Sequence, residues 1–155
     1  MQLALYKGTS FVSKCIRFVT RSEYSHAAII LRSGRVIEAW QPTVRIVADL
    51  SEQHTPGTVV DVFDFADPLT IEEEMRATQF LTGEVGVPYD YKSVLRFVTR
   101  RPGNLDDHWF CSELAFAAAE VAGRRLFHWT EAWQVPPDWL PRSPLLRWSY
   151  QTRTE

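Results

Sequence analysis

Three residues have the types that acyl chemistry needs: a thiol at Cys111, an imidazole at His26 and a carboxylate at Glu38. A cysteine attacks a carbonyl well only when a base takes its proton. A carboxylate behind the histidine fixes its tautomer and raises its basicity. Cys111 stands in HWFCSELAFAA, in the first turn of an apolar helix, where the partial positive charge of the helix N-terminus lowers a thiol pKa. His26 and Glu38 stand in YSHAAIILRSGRVIEAW, residues 24–40. Each has an ordinary alternative: a small buried cysteine like Ala115 and Ala118, a half-exposed histidine at a strand end, a glutamate on a surface strand. Taken singly, each is better explained that way.

The elements that hold these residues decide between the two accounts. Residues 25–31 and 35–40 read as the two strands of a hairpin, with Arg32-Ser33-Gly34 as a three-residue turn and glycine in the left-handed position. Leu31 then pairs with Arg35, and Glu38 faces Ala28. His26 is two residues from Ala28 and on the same face, so His26 and Glu38 are diagonal neighbours roughly 7–8 Å apart by backbone. A two-residue Ser33-Gly34 turn shifts the register by one and puts them on opposite faces. Whether the hairpin meets the Cys111 helix is a matter of fold that spacing does not give.

The rest of the chain supplies a frame. Strands are expected at 2–6, at 44–50 fading into a loop, and at 59–65. Helices are expected at about 11–20, with Ser10 as cap and Cys15 on the buried face, at 71–83 with Thr70 as cap, at 91–100, and at 110–123 stopped by Gly123. GVPYD is a turn, and the proline-bearing tail after about 130 reads as irregular, with tryptophans that must pack on something. The class is α+β: a small, mostly antiparallel sheet packed with helices, in a single domain over 1–155.

Composition narrows the function. Of 155 residues 45% are apolar and 23% charged, as in an ordinary globular protein. The formal charge of −2 and the lack of a basic run make nucleic acid a poor partner. Two cysteines, neither in a CxxC, fit a reducing compartment. No signal peptide, lipidation motif or apolar run of ~20 residues is visible, so no transmembrane segment and a cytoplasmic location are expected, with delivery by a phage or a secretion system as the other route. The histidines at 26, 54, 108 and 128 show no HExxH or paired Cys/His spacing, which leaves only a metal site built from scattered ligands; none is expected.

YSHAAII with VIEAW, then GVPYDY, then FCSEL together resemble the circularly permuted branch of the NlpC-type papain-like cysteine hydrolases, the YiiX-like group. In ordinary NlpC-type enzymes a G-x-P-Y turn precedes the cysteine helix and the histidine strand follows; here the histidine strand comes first. The resemblance covers nearly the whole chain, including the PPDWLPRSP tail. It implies a permuted papain-like fold with Cys111 as nucleophile, His26 as general base, Glu38 as the orienting third residue and Tyr89 beside the substrate or the oxyanion. It implies no cofactor. There are two departures: Glu113, read as a structural support, replaces the usual glycine after Cys-Ser, and Asp90-Tyr91-Lys92 replaces Trp-Gly-Gly, which bears on the subsite shape and the substrate.

The leading expectation is a cysteine hydrolase cleaving an amide through an acyl-enzyme, with peptidoglycan-type stem peptides as the substrate class the resemblance implies. A lipid or acyl-group amidase, thioesterase or acyltransferase is the second reading, with a groove from Phe110, Trp133 and Trp139. A non-catalytic binding module is the third. His108, three residues before Cys111, is the rival base. Oligomeric state is not legible.

Overall fold

β1, Gln2–Lys7, alternates Leu3 and Leu5 with Ala4 and Tyr6, and all four are buried. A strand buried on both faces belongs in the interior of a sheet, and β1 pairs with a neighbour on each side. The computed structural model describes residues 1–8, 22–90 and 108–155. The expected helices at 11–20 and 91–100, and Cys15, lie outside the described residues. The remaining strands are β2 (His26–Ile30), β3 (Val36–Ala39), β4 (Val44–Val47), β5 (Val59–Phe65) and β6 (Leu146–Arg153). They form one antiparallel sheet in the order β4-β3-β2-β1-β5-β6.

The hairpin register is the three-residue-turn register. Ile30 pairs with Val36 and Ile29 with Ile37. The Leu31 N–H donates to the Arg35 carbonyl at 2.8 Å, the Gly34 N–H donates to the Leu31 carbonyl at 2.9 Å, and Gly34 has φ +84°. Only a residue without a Cβ takes that φ without strain.

Among the described residues two helices pack on one face of the sheet. α1, Ile71–Gly83, starts at Thr70, whose side chain accepts from the Glu73 N–H while Glu73 accepts from the Thr70 N–H. α2, Cys111–Val121, is alanine-rich, and those small residues let its axis approach β2 closely. Leu3, Leu5, Ala27, Ile29, Ile37 and Ala39 form a core with Cys111, Leu114, Ala115 and Ala118. Ala4, Tyr6, Ala28, Ile30, Val36 and Val62 form a second cluster on the opposite face.

The tail departs from expectation. Residues 146–153 form β6, an edge strand eight residues long paired along β5. Leu146 alone is fully buried there, and Trp148 is 57% exposed rather than packed. An edge strand with a wet face carries too little apolar alternation to stand out from the prolines before it. Among the described residues no helix is long and apolar enough to cross a membrane.

Candidate active site

Glu38 Oε2 lies 2.6 Å from His26 Nε2, the diagonal contact that the register requires. Both side chains are buried. The carboxylate has further partners. Arg45 pairs with Glu38 across β3 and β4, and its Nε and Nη2 donate to Oε1 at 2.9 and 2.6 Å. His54, from the loop after β4, brings Nε2 to 3.0 Å from Oε2. Two donors thus reach each oxygen, as a buried carboxylate demands. Aromatic rings close around the group: Trp40 presents its edge to His26 at 4.7 Å, and Tyr6 stacks on His54 at 4.2 Å.

This surround sets the protonation states. Burial alone would raise the Glu38 pKa; the hydrogen bonds and charges of His26 and His54 outweigh it and hold the carboxyl well below its ordinary range. Burial lowers His26 below its usual value against the pull of Glu38, so the ring is neutral at neutral pH. An ionised carboxylate only accepts hydrogen bonds, so the His26 proton sits on Nε2 and Nδ1 carries the lone pair.

Cys111 is the first residue of α2 and faces the helix-side core with Ala27 and Ala39. The backbone N–H groups of Ala27, Ser112 and Cys111 favour its thiolate, but burial outweighs them and pushes the thiol up to about 12. The expected lowering at a helix N-terminus is therefore overridden, and the resting group is a neutral thiol. The sulfur lies against the backbone of Ala27, the residue after His26, while the His26 ring lies among Tyr6, Trp40 and His54. The structure brings His26 to Glu38 on the sheet face of Tyr6 and Ala28 and sets the thiol against Ala27 on the other face, without a hydrogen bond between sulfur and ring among the described residues.

The GVPYD segment ties the sheet edge to the start of α2. The Val44 N–H donates to the Val87 carbonyl at 2.8 Å, and the Tyr89 N–H to the Pro42 carbonyl at 2.9 Å. Tyr89 then runs beside Trp109, with its buried ring 6.0 Å from Phe110. Glu113 accepts from the Phe110 N–H at 3.3 Å, a supporting contact at the helix start. Ser112 Oγ donates to the Val135 carbonyl at 2.5 Å and fastens the tail beside the cysteine. His108 is half-buried ahead of α2. Phe110 is 2% exposed, so it cannot line an open groove.

No protein-family model and no curated protein matches the sequence. Among solved structures, the chain is similar to the crystal structure of the metalloprotein YiiX from Escherichia coli O157:H7, with a TM-score of 0.75 and 19% identity over 97% of this chain and 96% of that one. The chain has the fold of YiiX. That is an α+β fold, and in this chain the strand that carries His26 precedes the helix that carries Cys111.

Within the YiiX fold two partners of Glu38 escaped the sequence. Arg45 was findable: it is the cation in the strand expected at 44–50, which the structure pairs with the Glu38 strand. His54 sits in SEQHTPG, whose path depends on tertiary contacts and on Gln53 at φ +62°. With it, His26, Glu38 and His54 bring three ligand-type atoms within 4.8 Å of one another, the group among the described residues that can hold a metal ion.

Proposed function

We propose that the chain, as one domain over 1–155, is a papain-like cysteine hydrolase that cleaves an amide through an acyl-enzyme. The observation that carries this is the 2.6 Å contact between His26 Nε2 and Glu38 Oε2, with the Cys111 sulfur against the adjoining strand backbone. Glu38 holds the ring in the tautomer whose Nδ1 accepts a proton. That nitrogen takes the thiol proton as sulfur attacks the carbonyl carbon, once the His26 ring turns about the strand end toward the Cys111 side of the sheet, and His26 returns it to the leaving amine. The backbone N–H of Cys111, at the helix start, is the first donor to the oxyanion, with Tyr89 as its neighbour. Water then hydrolyses the thioester. Because the resting pair is neutral, the proton moves during attack rather than before it.

Peptidoglycan-type peptides are the first substrate class, following the resemblance of the motifs. Acyl esters and thioesters are the second: Trp129, 69% exposed and 5.2 Å from Trp139, offers an apolar ledge on the tail that Ser112 holds. The deciding experiment incubates the full chain with muropeptides and with acyl esters and reads intact mass. An acyl adduct on Cys111, lost in Cys111→Ser and in His26→Ala, is expected. An unreactive Cys111 across both panels would sink the reading and leave a binding module.

A further inference from the structure

We propose that His26, Glu38 and His54 also form a binding site for a divalent transition-metal ion of the zinc class, and that the bound ion switches off the thiol. The second half rests on the hydrolase reading above; the first does not.

The donor set is two imidazoles and one carboxylate, which suits zinc and its neighbours; calcium and magnesium prefer oxygen throughout. The three donor atoms lie within 4.8 Å of one another, so small side-chain shifts gather them around an ion at about 2.0–2.1 Å. They come from β2, β3 and the loop after β4, which is why no spacing motif marks them. Arg45 engages Oε1 and leaves Oε2 to the histidines, so the ligating oxygen is held from behind. Its positive charge weakens the site, and the Glu38 charge offsets it.

The switch follows from the tautomer. In the metal-free chain Nε2 of His26 carries the proton and donates to Glu38. An ion on Nε2 takes the place of that proton, which moves to Nδ1 of the neutral ring. No proton is gained or lost by His26 overall. The nitrogen that must accept the Cys111 proton is now a donor, and the base is disabled.

The test uses the full chain, stripped with EDTA and titrated with ZnCl2 against a chromophoric chelator. One zinc per chain is expected for wild type and for Cys111→Ser. His54→Gln, whose amide can still donate to Glu38, is expected to bind at least about tenfold more weakly. Acyl transfer from p-nitrophenyl acetate to Cys111 should stop in wild type over the zinc concentrations that fill the site, and resist at least about tenfold more zinc in His54→Gln. No binding by wild type, or equal affinity in His54→Gln, overturns the site. Loss of zinc in Cys111→Ser places the ion on the thiol and overturns it too. Zinc bound as expected with Cys111 unacylated throughout keeps the site and removes the hydrolase.

Discussion

Glu38 Oε2 accepts from His26 at 2.6 Å and from His54 at 3.0 Å, so one carboxylate oxygen fixes the direction of two imidazoles. For His26 this sets Nε2 as the protonated nitrogen. Nitrogen chemical shifts of labelled protein at neutral pH are expected to show His26 with a protonated Nε2 and a bare Nδ1. A protonated Nδ1 would remove the proton acceptor that the mechanism needs. Replacing His26 by Ala should lower acyl-enzyme formation by about 10²–10⁴-fold, the range for a positioned base.

Arg45 both anchors Glu38 and opposes the basicity of His26, since its charge lowers the imidazole pKa. Arg45→Met leaves a carboxylate with no exposed surface short of its cation. Denaturant unfolding should show a loss of roughly 3–5 kcal/mol, the cost of stranding one member of a buried pair. In any folded fraction the His26 pKa rises. Acylation needs the neutral ring, so its acid limb should move to higher pH. An unchanged limb would place Arg45 outside the control of the base.

Stability should fall with acid in two stages. The folded pKa values of His26 and Glu38 both lie below their ordinary values of 6.5 and 4.5, so the unfolded chain binds more protons at acid pH. The His26 contribution is complete above its unfolded value and declines as pH drops toward its folded value. The Glu38 contribution begins to be lost below 4.5. Thermal midpoints measured across that range should decline first below pH 6.5 and more steeply at lower pH. In His26→Gln the upper stage should vanish; its persistence would assign the decline to other groups.

How much of this could be read from the chain differs residue by residue. The His26–Glu38 contact was legible because a strand has period two and Gly34 selects the turn, so a local signal fixed a side-chain diagonal. Strands β1 to β5 and helix α1, with its Thr70–Glu73 cap, were legible for the same local reasons. β6 was not, because an edge strand needs only one partner and little burial. The raised Cys111 pKa was not legible either: a helix N-terminus is visible in sequence, but the burial that outweighs it belongs to the packing of α2 on Ala27 and Ala39. His54 depends on a loop whose route no local pattern dictates.

The site therefore hangs on Gly34, far from any reacting atom. Its φ of +84° lies in the region that disfavours a Cβ, and nothing stands within 4 Å of where that Cβ would be. Gly34→Ala meets no clash, so its whole cost is conformational, about 1–2 kcal/mol. Ser33→Ala, at an exposed neighbour, should change stability by less than about 0.5 kcal/mol. If Gly34→Ala keeps the three-residue turn, the His26–Glu38 contact survives and acylation of the folded protein is unchanged. If instead the chain relieves the strain by adopting the two-residue turn, β3 slips by one and Glu38 leaves the face of His26. Amide exchange at Leu31 and the His26 nitrogen shifts separate the two outcomes. Retained protection with a modest loss of stability is expected, because the slip would also carry Val36 and Ile37 out of their buried positions.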